Sequence, residues 1–407
     1  MKRIFYPGTF YLPNKDTDYS KWSVISCDQH TSNIEYWNNV KELVKNSPSS
    51  LNLILPEAYI HLDSEYSIED IYKYMDEYLK NETIIPVIEN GLIIVERETS
   101  TGKRIGLLGT IDLEEYSFKD NDHLIVATED YVENRLKVRI KIRENALLEL
   151  SHAIVFIKDN ENLIEKVYKK CQKNKPIYDF NLMFNSSRIR GFKVSKEDSS
   201  LLLESINNID NEHDPIMMVG DGNHSLASAK ICWENYKQNN PDYNPNHPLR
   251  YAMVELEPLS SDSIQFYPIH RFVYDVPFSN LYNEFSDYLD KNHIKNVGNH
   301  IITLKSKDDI EVFNFKSTID SIKILQDFLD MYHISNGYNV DYIHDEKEIK
   351  RLIKNNKGTA IIVEAIDKEE LFDWVKMNGH LPKKTFSIGT SSEKRYYLEA
   401  RIIKENI

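Results

Sequence analysis

The chain has 407 residues, of which 41% are hydrophobic and 11% aromatic. This composition supplies a core for two or three domains, or for one large domain, and excludes a largely disordered protein. The formal net charge of −14 excludes a general nucleic-acid binder, whose affinity comes from neutralising phosphates, but it is compatible with a local basic cleft that attracts anions.

Apolar runs and helical periodicities alternate along the first half of the chain. Short strands are predicted at 23–27, 51–55, 153–157 and 216–219. A hairpin is predicted from 91–97 and 104–112, joined around Thr99–Gly102. Helical spacing of apolar residues predicts helices at 32–46, 68–79, 161–173, 198–209 and 223–239.

The second half continues the same alternation. Strands are predicted at 250–257, 264–274, 310–315, 359–365 and 395–402, and helices at 279–292, 319–332, 346–353 and 369–377. Such alternation is typical of a mixed α/β fold. Because a helical region begins after residue 276, we predict a core over 1–276 and a C-terminal α/β region over 277–407 that completes the site.

Cysteine usage and hydropathy indicate a cellular compartment. Cys27, Cys171 and Cys232 are far apart, odd in number and without a metal-site spacing, which favours a reduced, cytoplasmic location. No apolar run approaches the roughly 18–20 residues that span a bilayer, and the N-terminus has no long apolar region. We therefore expect no membrane partner and no signal peptide.

The segment with the clearest chemical signal is a strand, a glycine turn and a helix start in direct succession. The apolar run Ile216–Val219 ends in Gly220–Gly222, where helical spacing begins. This arrangement aims free backbone N–H groups at an anion, and Asp221 and His224 add a carboxylate and an imidazole. The alternative is an ordinary turn in which Asn223 is the helix N-cap.

This segment resembles the Asp-Gly-x-His box of a large domain-of-unknown-function family. Further segments resemble the same family in order along the chain: Cys27–Ser32, Glu35–Trp37, Leu55–Glu57, Gly109–Leu113, Ile142–Ala146, Arg188–Gly191, Pro268–Arg271 and Leu381–Gly389. That family is distantly similar to the ParB/sulfiredoxin-like fold, which includes free serine kinases. The resemblance implies a ParB/sulfiredoxin-like core with large insertions.

The resemblance also implies how a phosphoryl donor is bound. In the serine kinases an Asp-Gly-His-His-Arg box binds the donor phosphates. Here His224 is kept, Asn223 replaces the first His and Ser225 replaces the Arg. A small inorganic donor fits this replacement better than a nucleotide, although a distant Arg could fill the role. The implied donor-binding residues are Gly222, Asn223, His224, Ser225, His270, Arg271 and Lys384.

Several carboxylates are candidates for the chemistry. The serine kinases use an N-terminal glutamate, and Asp28 and Glu35 are the matching candidates for positioning or deprotonating the acceptor. Glu35 is equally explained by a capping box, Ser32–Glu35. Asp221 is a third candidate base and the candidate Mg²⁺ ligand, and its alternative is a turn residue.

Other residues are candidate contacts to the substrates. The acceptor pocket is expected to include Thr31, Ser32 and Trp37, although Trp37 at helical spacing also fits a core position. Glu57 is either a second carboxylate of the site or a solvated loop acid. Further cations in family-like segments could contact the donor phosphates: Arg143, Arg190, Lys383 and Arg395.

Together these features predict a small-molecule kinase. It would transfer a phosphoryl group from pyrophosphate, ADP or ATP to the hydroxyl of free L-serine, with Mg²⁺ or another divalent cation, giving O-phosphoserine. The alternative is a ParB-like DNA-binding or nucleotide-gated regulator, which the net charge disfavours. A sulfiredoxin-like redox enzyme ranks last because the glycine box holds no cysteine. The sequence leaves open the donor, the choice between serine and a related acceptor, the identity of the base and the oligomeric state.

Overall fold

The computed structural model describes residues 3–31, 33–60, 67–129, 133–150, 153–209, 215–344, 346–355, 357–390 and 393–405. Contacts between Cα atoms divide the chain into two compact units. Unit 1 comprises residues 1–264 and 391–407, and unit 2 comprises 265–390. In both units helices and strands alternate, so the predicted mixed α/β class is confirmed.

All of the predicted helices are present within a few residues of their expected bounds, whereas the helices at Tyr19–Trp22 and Glu133–Asn145 were not predicted. The α-helices are α1 Tyr19–Trp22, α2 Ile34–Val44, α3 Ile68–Lys80, α4 Glu133–Asn145, α5 Leu163–Cys171, α6 Lys196–Asn207, α7 Asn223–Asn239, α8 Phe278–Lys291, α9 Thr318–Asn336, α10 Glu346–Asn355 and α11 Leu371–Asn378. Short 3₁₀ helices span Ser50–Leu53, Glu57–Tyr59, Leu113–Glu115, Met183–Asn185, Pro248–Arg250 and Lys368–Glu370.

The strands are numbered in chain order across both units. They are β1 Phe5–Tyr6, β2 Gly8–Pro13, β3 Val24–Ile25, β4 Ile84–Gly91, β5 Ile93–Thr99, β6 Gly102–Asp112, β7 Tyr116–Ser117, β8 Ile125–Ala127, β9 Leu148–Glu149, β10 Ala153–Ile157, β11 Tyr178–Asn181, β12 Arg188–Lys193, β13 Met217–Asp221, β14 Tyr251–Pro258, β15 Phe266–Pro268, β16 His270–Tyr274, β17 His300–Lys305, β18 Ile310–Phe315, β19 Val340–Ile343, β20 Gly358–Val363, β21 Phe386–Ile388, β22 Tyr396–Tyr397 and β23 Arg401–Ile402.

Unit 1 is built around a mixed ten-stranded sheet. Its order is β11-β12-β5-β6-β14-β10-β13-β8-β7, with β1 paired to β6. The β10–β14, β13–β8 and β7–β8 pairs are parallel, whereas the β5–β6 hairpin is antiparallel, as predicted from its turn. The strand β13, which leads into the glycine box, therefore lies between β10 and β8 inside the sheet.

Alternating side chains divide the apolar residues of this sheet between two cores. Leu92 and Ile94 lie in one core with the apolar residues of α5, α6 and α7. Ile93 and Val95 lie in the other core with those of α2 and α3. Successive residues of a strand point to opposite faces of the sheet. Because the alternating residues pack against different helices, helices cover both faces of the sheet.

Unit 2 has a separate antiparallel sheet. Its order is β18-β17-β20-β16-β19, and β15 pairs with β21 in a two-stranded ribbon. Apolar residues of α8 and α9 are buried in this unit, including Leu281, Phe285 and Phe328, which supplies a core of its own.

The contact-based division differs from the predicted division at residue 276. The segment 265–276 belongs to unit 2 because β16 pairs with β19 and β20. The last segment of the chain returns to unit 1, where β22 pairs with β3 and β23 pairs with β9. Pairings between residues so far apart in the chain leave no local trace in the sequence.

One predicted element is wrong. The expected strand at 51–55 is a 3₁₀ helix, Ser50–Leu53, followed by extended residues. Ser49 caps this helix by accepting a hydrogen bond from the Leu51 N–H, and the Ser50 hydroxyl donates to the Trp22 carbonyl at 2.7 Å. These serine side chains compete for the backbone groups that a strand would pair.

No helix among the described residues combines the length and the apolar character that crossing a bilayer requires.

Candidate active site

The glycine box folds as predicted, with one change at the helix start. β13 ends at Asp221, and Gly222, at φ +90°, is the N-cap of α7. A Cβ atom at Gly222 would lie 3.0 Å from Arg395 Nη1 and 3.1 Å from Ala153 Cα. Glycine is required here by both its backbone conformation and the close approach of Arg395. The interpretation of Asn223 as N-cap is therefore wrong, because Asn223 is the first helical residue.

Arg395 lies between two of the predicted carboxylates. Its Nε is 3.6 Å from Asp221 Oδ2, and its Nη2 is 3.9 Å from Asp28 Oδ2. Its backbone carbonyl accepts a hydrogen bond from the Ser26 N–H at 2.9 Å, next to the β3–β22 pair. Strand pairing thus carries an arginine from the C-terminal segment to the glycine box.

A second arginine, Arg139 of α4, contacts Glu57, Asp28 and Ser225. Its Nη2 donates to Glu57 Oε1 at 2.8 Å and lies 3.4 Å from Asp28 Oδ2. Its Nη1 donates to Ser225 Oγ at 3.0 Å. We call Asp28, Glu57, Arg139, Asp221 and Arg395 the acid–arginine cluster; all five belong to unit 1.

The acid–arginine cluster is largely buried. Exposed side-chain fractions range from 3% for Arg395 to 19% for Asp221. Removing charges from water is costly unless they are paired, and clustered buried charges are concentrated at functional sites. The cluster contains three carboxylates and two guanidinium groups, so its net charge is −1 when all five are ionised. A bound cation would neutralise this charge.

Asp28 is held in its charged form. Burial by itself would raise the pKa of its carboxyl, but the guanidinium groups of Arg139 and Arg395 and hydrogen bonds from Ser26 and Gln29 lower that pKa below its ordinary value. Asp28 is therefore ionised at neutral pH and is suited to accept hydrogen bonds.

We expect this charge to contribute to stability in a pH-dependent way. A depressed folded-state pKa stabilises the protein above the unfolded-state value of about 3.9, and this stabilisation is lost as the pH falls through the folded-state pKa. Asp28→Asn should therefore lower the free energy of unfolding by about 1–3 kcal/mol at pH 7, and the difference should shrink below about pH 4.

Urea unfolding of wild type and Asp28→Asn at pH 7 and at pH 3 measures this difference. Asp76→Asn, which removes an exposed carboxylate bonded to Lys80, is the matched control and should cost less than about 0.5 kcal/mol. An equal Asp28→Asn penalty at both pH values would contradict the assigned ionisation.

A sequence profile identifies the family. The profile described as a protein of unknown function, DUF1015, matches residues 11–332, which is most of the chain. The chain belongs to the DUF1015 family. This confirms the resemblance on which the Asp-Gly-x-His box was interpreted, and the matched range includes Asp28, Glu57, Arg139 and Asp221.

Solved structures similar to this DUF1015 chain include free serine kinases. A free serine kinase variant in complex with ADP is 12% identical, with a TM-score of 0.42 over 72% of this chain and 91% of that one. A free serine kinase in complex with AMP is also 12% identical, with a TM-score of 0.41 over 72% and 90%. A conserved hypothetical protein from Pyrococcus furiosus is 10% identical, with a TM-score of 0.38 over 70% and 92%. None of the curated proteins matches the chain.

The structure brings together only some of the predicted site residues of the DUF1015 chain. Asp28, Asp221, Gly222 and Ser225 meet around the two arginines. Asn223 and His224 follow directly in the first turn of α7, half-buried. Glu57 is a buried member of the cluster, so its interpretation as a solvated loop acid is wrong.

The predicted acceptor-pocket residues lie at or before the start of α2. Asn33 caps this helix by accepting from the Tyr36 N–H, so the predicted capping box with Ser32 as cap is wrong. Glu35 and Thr31 are exposed, and Ser32 lies outside the described residues. Trp37 is fully buried in a hydrophobic core, the position that its helical spacing favours. Substrate contacts by these residues stay predictions.

Three predicted donor contacts belong to unit 2. The buried Arg271 donates to the carbonyls of Ile269 and Lys384 and to Gln326 Oε1. His270 Nδ1 accepts a hydrogen bond from the Val363 N–H at 3.3 Å. Both side chains thus bind within the interior of unit 2, and a donor role for His270, Arg271 and Lys384 stays a prediction.

Two further predicted cations have other partners. Arg143 pairs with the buried Glu149 at 2.6 Å, and Arg190 pairs with Glu96 at 2.6 Å. Each of these arginines is therefore explained by a structural ion pair.

A second buried charged group, which was not predicted, is close enough to Asp221 to interact with it electrostatically. Arg104 Nε lies 2.9 Å from Glu257 Oε1, and both side chains are almost completely inaccessible. Burial raises the pKa of Glu257, and the negative charges of Glu255 and Asp221 raise it further, against the lowering effect of Arg104. Glu255 and Glu257, two residues apart in an apolar strand, were the signal that could have revealed this group.

Asp221, the predicted Mg²⁺ ligand, has a carboxylate oxygen that can take a metal ion. Within the described residues, no three His, Cys, Asp or Glu side chains form a group that could hold a metal. Asp221 Oδ2 is buried and accepts no hydrogen bond from the described part of the chain. This fits the usual manner of Mg²⁺ binding, in which one or two carboxylates and substrate phosphates share the ion.

Proposed function

We propose that this protein transfers a phosphoryl group from pyrophosphate or an adenine nucleotide to the hydroxyl of free L-serine, giving O-phosphoserine. The observation that carries the proposal is the acid–arginine cluster at the head of the glycine box. Phosphoryl transfer requires a held donor, a positioned acceptor and neutralised charge, and this cluster offers groups for each.

The donor would bind at the start of α7. The first N–H groups of a helix have no partner within the helix, and the helix dipole favours anions at this end. Gly222, Asn223, His224 and Ser225 would face the phosphates. Arg395 supports this assignment because its guanidinium lies against Gly222. It supplies a positive charge that the box itself lacks, since Ser225 stands where the serine kinases have an arginine.

The acceptor hydroxyl would bind at Asp28. Its carboxylate stays charged and can accept the hydroxyl hydrogen bond, which orients the oxygen toward the donor phosphorus. The serine Oγ–P bond would form as the bridging P–O bond of the donor breaks, and the proton would pass by way of Asp28 to solvent. Asp28 acts mainly by positioning, since the transition state of phosphoryl transfer is loose.

Asp221 would hold Mg²⁺ together with the donor phosphates. When bound, the ion supplies positive charge to the transferring phosphoryl group. The Arg395 guanidinium, with its Nε 3.6 Å from Asp221 Oδ2, would orient this carboxylate.

Replacing His224 with alanine is expected to raise the donor KM and to lower kcat. A hydrogen bond to a charged phosphate is lost, which corresponds to roughly 10- to 100-fold in kcat/KM. Steady-state kinetics with varied donor measure the effect. His123→Ala, which removes a surface histidine paired with Asp120, is the control and should keep wild-type kinetics. An unchanged donor KM in His224→Ala would remove His224 from the donor site.

The donor is identified by incubating the protein with L-serine and Mg²⁺ and with pyrophosphate, ADP or ATP in separate tubes, followed by ³¹P NMR. Phosphoserine from pyrophosphate alone would identify an inorganic donor and account for Ser225 in the box. Phosphoserine from a nucleotide alone would mean that an arginine outside the box contacts the nucleotide, and Arg395, which lies against Gly222, is the candidate. No phosphoserine from folded protein in any tube would contradict the proposal and favour the regulator alternative.

A further inference from the structure

A cavity of about 100 Å³ adjoins the acid–arginine cluster inside unit 1. Cluster residues Glu57 and Arg139 form part of its wall, together with Ser225, the partner of Arg139. Cys27, the neighbour of Asp28, lines it as well. The cavity is thus continuous with the groups assigned to the phosphoryl transfer.

Most of the remaining wall is hydrocarbon. Ile142 of α4 and Ala146, which directly follows this helix, line one side, and Leu53, Met75 and Leu148 line the others. Leu53, Met75, Ala146 and Leu148 are each at most 3% exposed. The Arg143–Glu149 ion pair, Ser228 and Tyr397 also line the cavity, so its wall combines polar groups with a larger hydrocarbon part. Protein interiors are normally close-packed, and the hydrocarbon part of such a wall favours apolar groups.

We infer that this cavity takes an apolar substituent on the hydroxyl-bearing carbon of the acceptor. The inference rests on the proposed function. With the acceptor hydroxyl at Asp28, a group on the same carbon can extend past Arg139 and Ser225 into the cavity. L-Serine has no such group and leaves the cavity empty. The acceptor class is therefore the 3-hydroxy amino acids with a small apolar group at C3, of which L-threonine is the smallest.

The size of the cavity supports a substituent of a few carbon atoms. One water-sized probe position needs about 10–15 Å³ on this measure, so about 100 Å³ holds more than a single methyl group. Each CH₂ group transferred from water to such a wall contributes about 0.8 kcal/mol, which is about 4-fold in kcat/KM. Wild-type protein is thus expected to use L-threonine about 4-fold better than L-serine.

The test compares the threonine-to-serine ratio of kcat/KM between wild type and a filled cavity. Ala146→Leu places three more carbons in the cavity and should lower this ratio at least 10-fold. Leu53→Phe is a second filling variant in case Ala146→Leu does not fold, which thermal unfolding checks. Ala365→Leu, a matched change at an exposed position of unit 2, should leave the ratio at its wild-type value.

A binding measurement without donor tests the cavity separately from catalysis. L-Threonine should raise the Tm of the wild-type protein more than L-serine does, and Ala146→Leu should remove that difference. Serine phosphorylated with threonine inert would overturn the cavity assignment and leave the kinase intact. If neither amino acid is phosphorylated, the proposed function fails, and the Tm comparison alone tests the cavity assignment. Equal Tm shifts for both amino acids would overturn the cavity assignment.

Discussion

An asparagine at position 28 is expected to lower kcat for phosphoserine formation by about 10²- to 10⁴-fold, with little change in the donor KM. Asn keeps the size of the side chain but loses the charge that Arg139 and Arg395 stabilise. The amide oxygen of the asparagine can still accept a hydrogen bond, but without the negative charge it cannot take up the proton of the acceptor hydroxyl in the transition state. Steady-state kinetics in which serine and donor are each varied at a saturating level of the other measure kcat and the donor KM.

Two comparisons make this result specific to Asp28. Asp76→Asn removes an exposed carboxylate in a surface ion pair and should keep wild-type kcat. Glu35→Gln tests the other N-terminal candidate, whose side chain is exposed at the start of α2. A large loss in Glu35→Gln with full activity in Asp28→Asn would transfer the acceptor role to Glu35.

Replacing Arg395 with methionine is expected to lower the free energy of unfolding by about 3–5 kcal/mol. Methionine keeps most of the volume but removes the charge that lies between Asp28 and Asp221. Both carboxylates are less than one-fifth exposed, so water replaces little of the lost interaction. Urea unfolding at pH 7 measures the change.

A double variant separates this ion pairing from packing. In Arg395→Met/Asp221→Asn the loss should be smaller than the sum of the single losses by about 0.5–3 kcal/mol, since the second change removes a charge that the first left uncompensated. Arg188→Met, which breaks a more exposed pair with Asp179, is the control and should cost about 0–1 kcal/mol. Additive losses, or a loss under 1 kcal/mol in Arg395→Met, would contradict the pairing.

The sequence predicted the local part of this site well. A buried run followed by two glycines and helical spacing identifies the strand, turn and helix around Asp221 because each is determined by neighbouring residues. The β5–β6 hairpin was predicted for the same reason. Asp28 was identified by the family resemblance. The residues next to it in the sequence are equally compatible with an ordinary turn residue.

The rest of the site depends on residues that are distant in the chain. Arg139 is one of several charged residues on α4, and only the packing of the molecule places it beside Glu57 and Ser225. Arg395 reaches Gly222 because β22 pairs with β3. Glu57 follows the segment 51–55, which was predicted as a strand but contains a 3₁₀ helix, Ser50–Leu53, so its position could not be predicted. Such contacts follow from tertiary structure, which local patterns do not encode.

The most direct test measures O-phosphoserine by mass spectrometry after incubating wild type, Asp28→Asn and Asp76→Asn with L-serine, Mg²⁺ and each of the three donors. We expect product from wild type and Asp76→Asn with at least one donor, and at least 100-fold less from Asp28→Asn. No product from folded wild-type protein, or equal product from Asp28→Asn, would contradict the assignment of the acid–arginine cluster as a phosphotransferase site.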